Sequence, residues 1–267
     1  SYAALAAIAI QSNQNDQHGG QGVPNFDYAM AGGVRKTFAK NYASKLQEAL
    51  EDVLDTDDES VLTQAAVAAG SAVTGEEPRL QTQAASFDAA AVQALVADGR
   101  LDKEKATHVV HHARRRAEKA TDRATYQAME GFVHNLNTMH SRAGAQTPFS
   151  SINYGTDTSP EGRMAIRNIL LAEDAGLGHG ETPIFPIHIF KVKEGVNYNP
   201  GDPNYDLFEL SCKVSAKRLF PNYVFLDSPF NLQYYKPGHP ETEVATMGCR
   251  TRVMANVYDP EREIAYS

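Results

Sequence analysis

Helical segments alternate with short apolar strands in the second half of the chain, and this alternation constrains the fold more than any other feature. The segments are, in order, strand 149–155 (FSSINYG), helix 162–175, strand 183–192 (PIFPIHIFKV), helix 206–219 and strand 223–227 (YVFLD). Strands joined through helices favour a parallel sheet with crossover connections. The strand at 183–192 is apolar nearly throughout, which predicts burial on both of its faces. The sequence therefore predicts an α/β fold for residues 146–267.

Residues 1–145 carry mostly helical patterns. Ser1–Ser12 is alanine-rich and apolar nearly throughout, which is typical of a buried helix. Within 26–54, four apolar residues recur at four-residue steps and predict a long amphipathic helix: Phe38, Tyr42, Leu46 and Leu50. Asn13–Val23 is rich in amides and glycine and is predicted to be a loop. We therefore expect a helical region ahead of the α/β region.

Composition and charge limit the class of protein. The chain has 267 residues, of which 42% are hydrophobic, and this is enough to bury a core. Its formal charge of -8 argues against non-specific binding to nucleic acid, which needs a basic face. Two cysteines give no disulfide framework and suit a reducing cytoplasm. No apolar run reaches the roughly 20 residues of a membrane span, so no membrane association is expected.

The start of the chain is unusual for a complete protein. The sequence SYAALAAIAI is short and lacks the basic leader of a signal peptide. It enters a helical pattern without a cap and without an initiator methionine. We therefore expect these residues to be an internal segment of a longer protein.

Cys249 is the first candidate for chemistry. Gly248 beside it gives the backbone unusual freedom, and Arg250 and Arg252 place positive charge near the sulfur. Nearby positive charge favours a thiolate or a reactive thiol. Free cysteines are also commonly buried and inert, so a packing role is the other interpretation. The residues alone leave both interpretations open.

Three polar residues are candidates for contacts with a substrate. His18 lies in the loop Asn13–Val23 and is the side chain there that can change charge near neutral pH. Ser151 and Asn153 lie on the strand 149–155, whose C-terminal end is where ligands are met in parallel α/β sheets. Their side chains offer hydrogen bonds to a sugar or a phosphate. For His18 the alternative is that its loop is only a turn with special backbone requirements. For Ser151 and Asn153 the alternative is a strand end that is merely solvated.

Two further features are interpreted as structural. Cys212 lies among Leu207, Leu210 and Val214 and is predicted to be a packing residue. His108 and His112 are one helical turn apart, but no acidic ligand accompanies them and three arginines follow at 114–116. We therefore predict neither a metal site nor a cofactor site within the chain.

Five stretches carry a resemblance to a known family. They are NQNDQHGGQ at 13–21, NTMHSRAGAQTPFSSINYGTD at 137–157, TSPEGRM at 158–164, ETPIFPIHIFKVKEGVNYNPGDPNYDLFELSCKVSAKRLFPN at 181–222, and MGCRTRV at 247–253. In these stretches the chain resembles the anaerobic (class III) ribonucleoside-triphosphate reductases, which are glycyl-radical enzymes. The matches are long, ordered and spread along much of the chain.

The resemblance implies a fold and a mechanism. The family's fold is a ten-stranded α/β barrel in two five-stranded halves, with a cysteine loop between them. Residues 1–267 would then be an incomplete catalytic domain: a mostly helical region at 1–145, followed at 146–267 by about the first half of the barrel and the cysteine loop. Cys249 would become a thiyl radical that takes hydrogen from the ribose C3' position and starts the loss of the 2'-hydroxyl. His18, Ser151 and Asn153 are the expected substrate-binding residues.

The resemblance also implies partners. A glycyl radical and zinc are expected in a missing C-terminal part, with no cofactor inside this chain. The expected partners are a ribonucleoside triphosphate substrate, nucleotide effectors, a second copy in a homodimer and a radical-activating enzyme, all in the cytoplasm. Because the radical-storing glycine is missing, the chain alone is expected to be inactive. The alternative is a non-catalytic relative that binds nucleotides or pairs with another subunit.

Overall fold

The structure, a computed structural model, describes residues 1–16, 19–56, 58–69, 78–80, 84–140 and 146–228. The chain forms two compact units: Ser1–Ala31 together with the residues from Tyr126 onward, and Gly32–Thr125. Among the described residues, no helix has both the length and the apolar character needed to cross a lipid bilayer.

The helices of the described residues are α1 (Tyr2–Asp16), α2 (Phe26–Leu54), α3 (Glu59–Ala69), α4 (Ala84–Ala97), α5 (Lys103–Thr138), α6 (Pro160–Ala175) and α7 (Tyr205–Arg218). The strands are β1 (Gln21–Val23), β2 (Ser150–Tyr154), β3 (Ile187–Val192) and β4 (Asn222–Phe225). The boundary predicted at residue 145 stays a prediction.

The four strands form one parallel sheet in the order β1-β2-β3-β4. Gly22 pairs with Ser151, and Ile152 pairs with His188. The parallel sheet confirms the α/β prediction for the described part of the second half, residues 146–228. The prediction of a loop over Asn13–Val23 was wrong at both ends, because α1 continues to Asp16 and the last three residues form β1 and pair with β2.

α6 begins and ends at residues that suit helix termini. The Ser159 hydroxyl accepts a hydrogen bond from the Gly162 amide, and Pro160 occupies the first turn, where a missing amide proton costs nothing. Gly176 follows the last turn with φ 78°, and its amide donates to the Ala172 carbonyl. The helix therefore ends where the glycines at 176 and 178 predicted.

The core of this unit lies between the sheet and the helices α6 and α7. Alternate strand residues point to this face, among them Tyr154 and Phe190, which are fully buried. The Phe208 ring of α7 lies 6.1 Å from the Phe190 ring and 6.0 Å from the Tyr223 ring. The other face of the sheet carries both polar and apolar side chains, since Ile187 and Ile189 pair with Ser151 and Asn153.

α1 only partly matches its prediction. Ala3, Ala7 and Ile10 are buried and lie at helical spacing on one face. Leu5 and Ile8 lie outside that face and are 65% and 55% exposed. The prediction of a wholly buried helix was therefore wrong, since apolar composition does not reveal how many faces of a helix are covered.

The helical unit has a core of its own. The four residues that predicted an amphipathic α2 are all fully buried: Phe38, Tyr42, Leu46 and Leu50. The Arg114 guanidinium of α5 binds both carboxylate oxygens of Asp88 in α4, at 2.7 to 3.0 Å. The same guanidinium lies over the rings of Phe38 and Tyr42. A buried ion pair therefore joins three helices.

Candidate active site

Ser151 and Asn153 lie on one face of β2. In a strand, alternate side chains point to the same face, and β2 pairs in parallel with β3. The face opposite the covering helices therefore carries Ser151, Asn153 and Lys191. Asn153 and Lys191 are fully buried, and Ser151 is partly exposed. Two residues predicted to bind substrate are thus on the same face of the sheet.

The other two predicted site residues, His18 and Cys249, lie outside the described residues. The glycines that follow His18 are described. A side-chain carbon added to Gly20 would lie 2.6 Å from the Phe149 ring, so the loop passes close to the start of β2. Gly22 then pairs with Ser151. The structure therefore brings the end of this loop beside one predicted substrate contact.

The carboxyl end of β2 is held by Asp27, at the start of α2. One carboxylate oxygen of Asp27 accepts hydrogen bonds from three consecutive backbone amides, those of Gly155, Thr156 and Asp157, at 2.9, 3.0 and 3.0 Å. The other oxygen accepts one from the Tyr28 amide at 3.1 Å. Because a carboxylate with several amide donors is strongly oriented, the loop after β2 is fixed to the segment after β1.

Two asparagines of the NYNPGDPN segment complete this loop. Asn197 donates to the carbonyl oxygens of Gly155 and Lys191, at 2.9 and 2.8 Å. Asn204 donates to the carbonyl oxygens of Gly155 and Asp157, at 3.1 and 2.9 Å. Both asparagines are fully buried. Their polar side chains thus satisfy backbone groups that the end of the sheet would otherwise leave buried.

Gly155 is required at the centre of this arrangement. Its φ is 126°, a conformation that side chains other than glycine rarely adopt. A side-chain carbon added there would lie 3.0 Å from the Lys191 carbonyl oxygen and 3.1 Å from the Phe190 ring. The backbones of β2 and β3 therefore stay in close contact past the end of β2.

A second polar group lies on the helix-covered face of the sheet. The Tyr154 hydroxyl lies 2.9 Å from Nδ1 of His188, and Nε2 of His188 lies 3.4 Å from a carboxylate oxygen of Glu173 in α6. Burial raises the pKa of Glu173 to about 7 and lowers the pKa of His188 to about 3. Burial also raises the pKa of Tyr154, so its hydroxyl is protonated. This chain of side chains was not predicted from the sequence.

Carboxyl groups near the end of β2 also interact electrostatically. Burial raises the pKa of Asp157, and the carboxylates of Asp27 and Glu161 act in the same direction. A hydrogen bond from the Ser159 amide to Asp157 opposes the rise. The site therefore concentrates negative charge, and Lys191 supplies a buried positive charge beside it.

Cys212 corrects one sequence interpretation. The residue lies in α7 but is exposed. α7 buries Leu207, Ser211, Val214 and Arg218, and Cys212 is turned away from that row. The predicted packing role was therefore wrong, because apolar neighbours in sequence do not lie on one face of a helix.

The helical unit contains a cavity of about 680 Å³ between α4 and α5. One wall is mainly apolar, formed by Ala89, Val92, Val96 and Ala97 of α4, which also contributes Asp88 and Gln93. Lys103, Thr107 and His111 of α5 line the other side. This combination of an apolar wall with a few polar groups is typical of small-molecule sites.

The described residues contain no group of three or more His, Cys, Asp or Glu side chains placed to hold a metal ion. The rings of His108 and His112 are stacked, with centroids 6.0 Å apart.

Comparison with known proteins connects this sheet to an enzyme family. A family model described as anaerobic ribonucleoside-triphosphate reductase matches residues 1–266. The chain belongs to this family. The family match extends over both compact units, so the helical unit and the sheet are parts of the same reductase-related segment.

Individual reductases of the family show how much of them the chain represents. It is 37% identical over 136 residues to the anaerobic ribonucleoside-triphosphate reductase of Enterobacteria phage T4, which is 51% of this chain and 22% of the phage protein. It is 36% identical over 112 residues to the Escherichia coli reductase, which is 42% of this chain and 16% of that protein. The matched stretch is less than a quarter of either relative.

Proposed function

We propose that the chain is a segment of the catalytic domain of an enzyme that reduces ribonucleoside triphosphates to deoxyribonucleoside triphosphates. The observation that carries this proposal is the family match over residues 1–266. The parallel sheet, with Ser151 and Asn153 on the face away from the helices, agrees with the first part of the family's ten-stranded barrel. In this proposal that face looks into the barrel and meets the nucleotide.

In the proposed mechanism the sulfur of Cys249 carries the radical. The thiyl radical takes a hydrogen atom from C3' of the ribose, so an S–H bond forms and a carbon radical remains at C3'. The 2'-hydroxyl accepts a proton and leaves as water. An external reductant, either formate or a thiol system, supplies two electrons, and a second proton becomes the new hydrogen at C2'. The hydrogen atom held on Cys249 then returns to C3', which breaks the S–H bond and restores the thiyl radical. A glycyl radical outside this chain would generate the thiyl radical. Zinc is likewise proposed to lie outside the chain.

In this proposal the described residues hold the nucleotide in place and take no part in breaking its bonds. Ser151 and Asn153 offer hydrogen bonds to the ribose or the phosphates of the substrate. His18 is proposed to act from the neighbouring loop. Holding a nucleotide in the correct orientation before reaction is a large part of what an enzyme supplies, and a radical additionally needs protection from water.

The test compares two cysteines in the complete enzyme. Cys249→Ser is expected to abolish formation of deoxyribonucleotide under anaerobic conditions after radical activation. Cys212→Ser is the matched control, because Cys212 is exposed on α7, and it is expected to leave turnover unchanged. Normal turnover by Cys249→Ser, with nucleotide still bound, would favour the non-catalytic alternative. The 267-residue chain alone is expected to show no turnover.

The cavity between α4 and α5 is proposed to bind the effector nucleotide. Its apolar wall suits a base, and the Lys103 ammonium at its margin suits a phosphate. We further propose that the enzyme is a cytoplasmic homodimer and that a separate activating enzyme installs its radical.

A further inference from the structure

Lys191 is a charged side chain with no exposure to solvent. It lies on β3, on the same face as Ser151 and Asn153, and its side chain is 0% exposed. Burying an ammonium group is unfavourable unless partners replace the water it loses. The partners of Lys191 therefore indicate what the buried charge does.

Three partners of Lys191 lie in the segment that follows β1. Its Nζ donates to the side-chain oxygen of Asn25 at 2.8 Å, approaches the Pro24 carbonyl at 3.4 Å, and lies 4.0 Å from a carboxylate oxygen of Asp27. β2 lies between β1 and β3 in the sheet. The Lys191 side chain therefore spans the width of β2 to reach the segment after β1.

The same Asp27 carboxylate accepts the three backbone amides that follow β2. One buried ion pair thus fixes the carboxyl ends of three adjacent strands: β1 through Asn25, β2 through the Asp27 hydrogen bonds and β3 through Lys191. Ligands of parallel α/β sheets are bound at this end of the strands. Asn153 lies two residues before the fixed loop.

We propose that Lys191 and Asp27 are positioning residues of the reduction site. They hold the ends of β1, β2 and β3 in the arrangement in which Ser151 and Asn153 meet the nucleotide, and neither touches the substrate. This inference rests on the proposed function. A purely stabilising pair would have the same geometry, so the test must separate stability from turnover.

The experiment uses the complete enzyme with Lys191→Met, Asp27→Asn and the double variant. Removing one charge leaves the other buried without a counter-charge, so each single variant is expected to unfold at a lower temperature. The double variant leaves no unpaired charge and is expected to regain much of the lost stability. Asp27→Asn also keeps an oxygen for the backbone amides, so this variant remains measurable if Lys191→Met does not fold.

Turnover then decides between the two roles. We expect kcat/KM of the double variant to stay at least about tenfold below that of the unsubstituted enzyme, at a temperature where both are folded. Lys217→Met is the control, since Lys217 forms an exposed pair with Asp174 at 2.9 Å, and its turnover should be unchanged. If the double variant recovers both stability and turnover, the pair only stabilises the fold, and the inference is overturned. Absence of turnover in the unsubstituted enzyme would overturn the proposed function itself.

Discussion

Nε2 of His188 lies 3.4 Å from Oε2 of Glu173, and both side chains are buried. The spacing would suit an ion pair, but burial lowers the pKa of His188 to about 3, so the imidazole is neutral at physiological pH. Burial raises the pKa of Glu173 to about 7, with Arg218 opposing the rise. The two residues therefore form a polar contact, and near neutral pH only the Glu173 carboxyl changes its charge.

Stability is predicted to depend on the ionisation of Glu173. Its pKa in the folded chain lies above the ordinary value of 4.5 for a glutamate, so its stabilising contribution is complete below about pH 4.5 and is lost as pH rises through about 7. Glu173→Gln should remove this dependence. The free energy of unfolding of the unsubstituted protein should therefore fall relative to the variant, by on the order of 3 kcal/mol between pH 4.5 and pH 8.

Denaturant unfolding of both proteins at several pH values measures this difference. The contribution of His188 has the opposite sign: it is present above pH 6.5 and is lost as pH falls through about 3. His188 is present in both proteins, so its contribution largely cancels in the comparison. A difference that stays constant from pH 5 to pH 8 would show that Glu173 does not titrate as described.

Two glycines of the same unit should respond to alanine in opposite directions. A side-chain carbon on Gly162 would lie 2.1 Å from Cγ of Asp157, whose carboxylate accepts the Ser159 amide. Gly162→Ala should therefore destabilise the protein by about 1–3 kcal/mol, as overpacking does. Gly131 lies inside α5 with nothing within 4 Å of such a carbon, so Gly131→Ala should stabilise by about 0.5–1 kcal/mol. Thermal unfolding of the two variants gives the sign directly.

Arg114 is predicted to be essential to the helical unit. Its guanidinium binds Asp88 and the carbonyl oxygens of Arg79 and Leu80. Arg114→Met should cost about 3–5 kcal/mol, because it leaves the Asp88 carboxylate buried without its partner. Arg114→Lys should recover only part of this loss, since an ammonium group cannot reproduce the several planar N–H donors of the guanidinium.

The control for Arg114 is an exposed pair at the start of the same helix, between Lys105 in its first turn and Asp102 just before it. Lys105 and Asp102 are 3.9 Å apart and more than half exposed. Lys105→Met should change the free energy of unfolding by less than about 1 kcal/mol. Equal effects of the two substitutions in urea unfolding would contradict the buried-pair interpretation.

The proposed effector cavity makes a binding prediction. Lys103→Glu reverses the charge that is proposed to meet the phosphates and should weaken binding of a deoxyribonucleoside triphosphate at least about tenfold. Lys119→Glu makes the same charge change on an exposed part of α5 away from the cavity and should have little effect. Calorimetric titration of the complete enzyme distinguishes them. Equal weakening by both variants would indicate a general charge effect.

Much of the fold could be predicted because it depends on local patterns. The alternating character of FSSINYG predicted β2, the apolar run PIFPIHIFKV predicted β3, and the four-residue spacing of Phe38 to Leu50 predicted α2. β1 was missed, since three residues are too few to show the alternation of a strand. Cys212 was placed in the core, because nothing in the sequence states which face of α7 is covered.

The candidate site was less predictable, since its contacts join distant parts of the chain. Ser151 and Asn153 could be found from their place on a strand. The contacts of Asp27 with the end of β2 and of Glu173 with His188 depend on the order of the strands and on helix packing. The one available signal was Lys191, a lysine inside an apolar strand. A lysine is rarely buried without a partner, so this position indicates a buried ion pair or hydrogen bond.

The bond between Lys191 and Asn25 spans 166 positions of sequence. A ribosome that has just produced β1 must therefore add all of the helical unit, β2 and α6 before the ammonium that secures the end of β1 exists. Contacts between such distant residues form slowly, because a long loop must close first. A nascent chain that stops short of β3 therefore keeps its first strand without this anchor.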